Sequence, residues 1–498
     1  MLDHNLSART VIIGGGPAGL SAAYELARHG GVPVVLESDE IVGGLARTVS
    51  YKNFLFDIGG HRFYTKSPEV QQLWQEILGP KLILRSRLSR IRYRNRFFIY
   101  PLKPFDALFG VGLLEALRIV ASYLRWHFFP YRQVDNFEQW VTNHFGKRLF
   151  EIFFRTYTEK VWGIPCSEIR ADWAAQRIRN LSLMRVVRAA LRGSRGESIR
   201  SLVEQFCYPE RGPGQMWEAL AFRLESMGYP VLKGRHVSQV FHKGNAVTSV
   251  EAQGQHGTER FDGRHFISSM PMRDLVQALS PTPPDEVMQA AESLRYRDFL
   301  LVGLIVNREH ICPDNWIYVH DPAVRVGRIQ NFKNWSPAMV PNPGQTSLGL
   351  EYFVFENDDL WSSTDEQLID LARREVQHLR LARIEDIQDG VVIRMPKAYP
   401  IYDRDWERHV ATIRAYVEMY LPNLQLVGRN GMHRYNNQDH SMMTAMYAAR
   451  NVMGGRYDLW SVNSEAEYQE EKTESRSTSY RPAYAEPARV RPLTDEAD

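Results

Sequence analysis

Thr10-Val11-Ile12-Ile13-Gly14-Gly15-Gly16-Pro17-Ala18-Gly19, continued by Leu20–Arg28 and Val32–Glu37, is the stretch that decides the fold. Thr10–Ile13 reads as a short buried strand, Leu20–Arg28 as the helix after a glycine turn, and Val32–Glu37 as the next parallel strand. The turn satisfies Gly-x-Gly-x-x-Gly, and each glycine has its own task. Gly14 allows the tight turn, Gly16 lets backbone approach a pyrophosphate, and Gly19 lets the helix rest on the strand. Exposed N–H groups and the helix dipole then favour a diphosphate. Glu37 closes the second strand, where its carboxylate accepts both ribose hydroxyls and repels a 2′-phosphate.

Outward from this start, Pro68 to Arg200 has a mainly helical pattern. Strand-like segments return at Val231–Val240, Ala246–Ala252 and His265–Ser269. From Phe299 to Phe355, β-branched and aromatic runs alternate with Gly/Pro/Asn turns, as in a sheet. Leu424–Val427 reads as a last short strand and Ser441–Met453 as a last helix, while charged helical faces such as Asp370–Arg380 read as solvated surface. Parts of one nucleotide fold are thus scattered along the chain. The expected architecture is α/β: a discontinuous Rossmann-type domain (8–67, 230–275 and 420–456), a mainly helical insertion (68–229) and a mixed-sheet substrate domain (276–419). The segment 462–498 is rich in Glu, Ser, Arg and Pro and reads as a disordered tail.

The 498-residue length suits two to four folding units. With 61 Lys and Arg against 58 Asp and Glu, the net charge of +3 is too small for a dedicated nucleic-acid binder. Cys166, Cys207 and Cys312 are odd in number and widely spaced, which offers neither a disulfide framework nor a zinc site. The expected setting is a reducing cytosol. The polar N-terminus shows no secretory signal, and no apolar run is long enough to span a membrane. The nearest approach, residues 105–131, is interrupted by Asp106, Glu115, Arg118 and Arg125. It reads as a buried or groove-lining helix, or as a peripheral contact with the inner membrane face, because Trp126, Phe128 and Phe129 adjoin Arg125 and Arg132.

A second glycine-rich stretch, Gly43-Gly44-Leu45-Ala46-Arg47-Thr48, follows the first. Together they resemble the double signature of the FAD-binding family that includes glutathione reductase, amine oxidases and protoporphyrinogen oxidase. The resemblance implies FAD rather than NAD, held at Gly44 and with Arg47 near its pyrophosphate. Three further stretches narrow the likeness: Phe56-Asp57-Ile58-Gly59-Gly60-His61-Arg62-Phe63, Tyr157-Thr158-Glu159-Lys160-Val161-Trp162-Gly163, and Val427-Gly428-Arg429 through Tyr435 to Asp439. In this order they resemble UDP-galactopyranose mutase. Tyr64, His433 and Asn437 depart from that family's pattern, which has His, Tyr and Asp there.

The resemblance implies a redox-neutral reaction in which reduced FAD, through N5, attacks the anomeric carbon of a UDP-sugar and pyranose and furanose rings interconvert. The cofactor then carries the covalent chemistry, and the protein supplies cations, aromatic clamps and dryness. By the same likeness, Arg297 in Leu294-Arg295-Tyr296-Arg297-Asp298 binds the substrate diphosphate. Arg177, or Arg179, is the second clamp, and Tyr435 contacts phosphate. Trp162 and Tyr399 line the sugar pocket. Gly60 brings backbone close to the flavin, and His61 lies beside its ring, where a histidine titrating near neutrality steadies negative charge. Arg429 meets the cofactor, and Asp439 caps a helix whose N-terminus points at it. A nucleotide sugar is the expected partner; an external reductant such as NAD(P)H and a homodimer are compatible with it. Two rivals share the same flavin half: an oxidase or desaturase of a lipophilic substrate, and a flavoprotein scaffold without turnover.

Overall fold

The computed structural model describes residues 9–100, 102, 110–171 and 205–463. Arg177 and Arg179, and the segment 464–498, lie outside the described residues. At the centre of a five-stranded parallel sheet runs Arg9–Ile13, flanked by His265–Ser268 and Leu424–Leu426 on one side and by Val32–Leu36 and Val231–Leu232 on the other. Val11 sits opposite both Phe266 and Val34 in the ladder. A strand covered on both faces needs apolar residues without alternation, which is what its sequence provides. Helix Pro17–Arg28 is buried continuously from Ala18 to Ala27, since it lies between this sheet and helix Gln438–Val452. Gly19 makes that closeness possible: a Cβ there would sit 1.8 Å from the Gly14 carbonyl oxygen.

The second unit is a seven-stranded mixed sheet in the order Ile387–Pro400, Tyr296–Val306, Thr346–Val354, Arg328–Asn331, Trp316–Val319, Ser89–Tyr93, Arg96–Ile99. Tyr296–Val306 and Thr346–Val354 are buried at every position. Helix Asp365–His378 covers one face through Leu368, Ala372 and Val376, and Phe56, Trp335 and Met339 fill the other.

The segment 68–229 holds more than helices. Ser89–Tyr93 and Arg96–Ile99 form a hairpin that extends the large sheet, and Leu82–Ser86 pairs with Gln205–Pro209. The hairpin turns on Arg94 and Asn95, both left-handed at φ 45° and 62°, a conformation that glycine would have advertised in the sequence and arginine does not. Helices Leu113–Phe128, Phe137–Phe145 and Lys147–Phe150 lead into Thr156–Trp162. At the other end, Val462 and Asn463, the first two residues of the expected tail, pack onto the fold. Val462 is buried, and the Asn463 side-chain amide donates to the Tyr435 carbonyl at 3.1 Å. Among the described residues no helix is long and apolar enough to cross a membrane.

Candidate functional site

Two glycine turns meet at the C-terminal edge of the parallel sheet. The Gly43 N–H donates to the Gly15 carbonyl at 2.9 Å, and a Cβ on Gly16 would lie only 3.7 Å from the Gly44 backbone. The result is a cradle walled by backbone. Gly16 caps helix Pro17–Arg28 without a side-chain acceptor, and no acidic residue occupies the first turn. The helix N-terminus is thereby left to an anion.

Glu37 is buried beside it and accepts from the Gly15 N–H at 2.6 Å, the Ser38 hydroxyl at 3.1 Å and the Asp39 N–H at 2.9 Å. Burial raises its pKa, and those donors oppose the rise. A carboxylate offers about four acceptor positions, so capacity remains for a ribose hydroxyl. Side-chain-free cradle, uncapped helix and buried acid fit the ADP half of FAD. Arg47 stands at this mouth in an ion pair with Asp39, its buried Nε without a partner.

The C-terminal motif is brought onto the first glycine turn by Gly428, at φ +79°, whose added Cβ would sit 3.0 Å from the Ala18 Cβ. Asp439 is buried, and it adds to burial in raising the pKa of the nearby Tyr64 phenol. Asp439 does not hold the N-cap: helix Gln438–Val452 starts one residue before it, Asn437 occupies the N-cap position without a side-chain capping bond, and Asp439 lies within the first turn.

The loop after Phe54–Asp57 reaches the same region. Gly59 takes φ +88°, and His61 donates from Nε2 to the Ile58 carbonyl at 2.6 Å. Burial first, then the Arg429 and Arg328 charges, push the His61 pKa down to about 4. The imidazole is neutral near pH 7. Burial, with these cations beside it, sets the ring apart from a histidine that titrates near neutrality.

Beyond His61 the large sheet presents a basic, aromatic pocket. Tyr399 and Tyr435 stack at 5.8 Å and 15°. Trp162 stands at 6.5 Å and 6.3 Å from them. Arg429 lies 4.6 Å above Tyr435 and 5.5 Å above Tyr399, anchored by the carbonyls of Asn436 and Ala398. Arg328 donates to the Tyr399 hydroxyl at 3.3 Å and ion-pairs with the fully buried Glu351, its cross-strand neighbour. Glu351 also accepts from Gln330 at 2.6 Å. Burial opposes the Arg328 charge, but Glu351 and the phenols of Tyr157, Tyr399 and Tyr318 more than offset it, so its pKa is raised. Tyr157 completes the wall, 5.4 Å from Tyr318 and stacked on His320 at 4.9 Å.

Trp162, Tyr399, Tyr435, Arg429 and His61 are thus brought together. Arg297 stands on the adjoining strand, its backbone paired with Tyr399, while its side chain lies under the Gly163 turn, 4.1 Å from the Phe355 ring, with Asp358 at 3.6 Å, the carbonyls of Phe353 and Lys160 as acceptors, and buried Nε and Nη1 without a hydrogen-bond partner. Burial lowers its pKa to about 10. His433 is fully buried against Tyr296. Arg328 was missed by motif reading, yet one signal was there. A lone Glu inside Thr-Ser-Leu-Gly-Leu-Glu-Tyr-Phe-Val demands a cation on the adjoining strand.

Comparison with known proteins agrees with this construction. The flavin containing amine oxidoreductase family matches residues 17–427, and the chain belongs to it. L-amino-acid oxidase of Crotalus adamanteus is 34% identical over 137 residues, 24% of this chain and 26% of that one. Protoporphyrinogen oxidase 2 of Arabidopsis thaliana is 34% identical over 79 residues, 15% and 16% of the two chains. The chain thus matches about a quarter or less of the length of these curated relatives. Among solved structures, reduced UDP-galactopyranose mutase superposes with a TM-score of 0.80 at 23% identity, covering 92% of this chain and 98% of its own. A fatty acid isomerase from P. acnes superposes at 0.58 and 13%, covering 89% and 98%. Both show the fold. The chain is a flavin-dependent enzyme, and the family implies FAD as its cofactor.

Proposed function

We propose that this flavoenzyme is a sugar-nucleotide mutase, interconverting the pyranose and furanose forms of a UDP-sugar. The observation that carries the reading is the Arg328–Tyr399–Tyr435–Arg429 group: two guanidinium ions set against stacked phenol rings beside the His61 loop. Such walls suit a flat base, a sugar and a diphosphate, and they suit an apolar substrate poorly. The covalent chemistry belongs to bound FAD, which in its reduced state supplies a nucleophilic electron pair.

The chain's own residues do the rest. Gly14, Gly16, Gly19 and Gly44 cradle the cofactor diphosphate, and Glu37 takes its ribose. Arg328, oriented by Glu351, faces the substrate diphosphate and holds the charge that builds there as the bond to the sugar breaks. Arg429 adds a second positive charge and keeps Tyr399 and Tyr435 parallel. Trp162 and Tyr157 close the pocket walls and keep water from the sugar. His61 remains neutral and fixed to the Ile58 carbonyl, so the loop beside the cofactor carries no mobile proton. Arg297 acts through the Gly163 turn that seats Trp162, and is a positioning residue.

The test is incubation of dithionite-reduced and oxidised protein with a panel of UDP-sugars, followed by chromatography for ring-size isomers. An isomer formed only by the reduced protein supports the mutase. Consumption of oxygen with an amine or an apolar substrate, without isomerisation of any UDP-sugar, overturns it. An FAD-dependent oxidase is the second reading, favoured by the oxidase names of the partly matching curated relatives.

A further inference from the structure

Helix Leu113–Phe128 carries apolar residues on two sides. The inner side, with Ile119 and Tyr123, is buried, and Glu115 ion-pairs with Arg148 of the next helical unit. At about 100° per residue, Leu113, Leu117, Leu124 and Phe128 fall within about 60° of one another on a different side. They are 78%, 59%, 45% and 70% exposed, and Phe129 continues the stripe at 66%. A helix that simply faces water places charge or amide side chains there. Four large apolar side chains in one outward row, with Phe129 exposed just past the helix end, are a surface made to be covered.

The charges around the stripe say by what. Arg118 and Arg125, seven residues apart, share one flank, and Arg132 follows. Arg125 stands 4.8 Å over the Phe129 ring and 5.6 Å over Trp126. Glu115 is the only acidic residue from 113 to 134, and its carboxylate is engaged with Arg148 and Arg118. A second copy docking by two-fold symmetry would oppose arginine to arginine. Sixteen residues make a helix of about 24 Å at about 1.5 Å per residue, short of the roughly 30 Å hydrocarbon core.

We infer that helix Leu113–Phe128 lies in the plane of an anionic lipid bilayer, with the leucine–phenylalanine stripe among the acyl chains and Arg118, Arg125 and Arg132 at the headgroup phosphates. The chain end of the docking unit is fixed by Arg96, which donates to the Gly110 carbonyl at 2.6 Å and so ties the helix approach to the edge strand of the large sheet. The same helical layer continues through Phe137–Phe145 and Lys147–Phe150 to Thr156–Trp162, which bears Tyr157 and Trp162. Docking therefore sets the pocket's helical wall next to the membrane. The inference goes beyond the pocket chemistry and stands whichever reaction that pocket performs.

The experiment is vesicle flotation with the full-length, FAD-loaded protein. Phosphatidylcholine vesicles are compared with vesicles containing phosphatidylglycerol, at low and at high salt. The wild type floats with the anionic vesicles and is partly released by salt. Leu117→Glu with Leu124→Glu lowers partitioning at least ~100-fold, with flavin content and melting temperature unchanged. Arg118→Gln with Arg125→Gln lowers anionic-vesicle binding ~30-fold and narrows the lipid preference to what Arg132 supplies. Failure of the wild type to float with any vesicle overturns the inference, as does equal flotation of the glutamate variant. A dimer that the glutamate substitutions dissolve, in a protein that ignores vesicles, reassigns the stripe to a second copy and also overturns it.

Discussion

Replacing Arg328 by Met tests whether the cation belongs to the pocket or only to the sheet. The change strands Glu351, which is fully buried and keeps only Gln330 at 2.6 Å. An ionised carboxylate left so costs about 3–5 kcal/mol. R328M is therefore destabilised by about 3–5 kcal/mol. Adding Glu351→Gln removes the stranded charge and restores most of the stability.

Nucleotide binding must not follow it back. Loss of a charge-assisted bond to the diphosphate raises the Kd for UDP at least about tenfold in both the single and the double variant. Melting curves and calorimetric titration of UDP read the two effects separately. The reasoning is refuted if R328M binds UDP like the wild type, or if the double variant recovers stability and affinity together.

Arg297→Ala gives the opposite pattern, an earlier melt from the lost Phe353 and Phe355 contacts with UDP affinity changed less than about twofold, because its Nη2 is held by the Phe353 and Lys160 carbonyls; a loss of UDP binding like that of R328M would place Arg297 on the substrate. Glu37→Gln keeps the fold but raises the Kd for FAD at least about tenfold, since it replaces a charged acceptor for three local donors by an amide; undiminished flavin content after dialysis would refute it. Gly163→Ala melts earlier by about 1–3 kcal/mol, because φ is +67° and the new Cβ would lie 2.4 Å from the Arg297 Cζ; an unchanged melt would show that the turn relaxes freely. Acid weakens the fold below neutrality: burial, with Lys160 at His320 and Arg273 at His433, holds these groups at about 3 and about 4 against 6.5 unfolded. The unfolded chain thus binds more protons as pH falls from 6.5 towards 4, and stability declines across that window. His433→Asn, which tolerates the left-handed backbone at φ 46°, shrinks the decline; an equal loss in both proteins would refute the assignment.

The parallel sheet was legible because each part of it is written locally. Thr10–Ile13, the glycine turn, the helix and Val32–Glu37 follow one another, and short-range sterics alone require the glycines. His265–Ser268 and Leu424–Leu426 were legible as strands, each ending in a turn. The hairpin at Arg94–Asn95 was not, since its turn residues take positive φ without glycine and tertiary pairing overrides propensity. In the aromatic group, Trp162, Tyr435 and Arg429 were readable from motifs, whereas Tyr399 stood out only by its place before Pro400. Arg328 was not, because its meaning depends on Glu351 across a ladder, 23 residues away in sequence.

Tyr157–Gly163 shows why a specific motif can mislead about chemistry. Lys160 spends its ammonium on the carbonyls of Asp321 at 2.7 Å, Val326 at 3.2 Å and Val319 at 3.4 Å. Glu159 accepts the Cys166 N–H at 3.3 Å, and Gly163 exists because Arg297 fills the space where its Cβ would be. Most of the motif therefore locks a helix to the large sheet, and only Tyr157 and Trp162 face the tyrosine pocket. An oxidase built on the same sheet would have the same mechanical need for Lys160, Glu159 and Gly163. The motif thus argues for the architecture, while the choice between isomerising a sugar nucleotide and oxidising an amine rests on whether Arg328 and Arg429 grip a diphosphate. That is a question of charge at two side chains, and substituting them one at a time answers it.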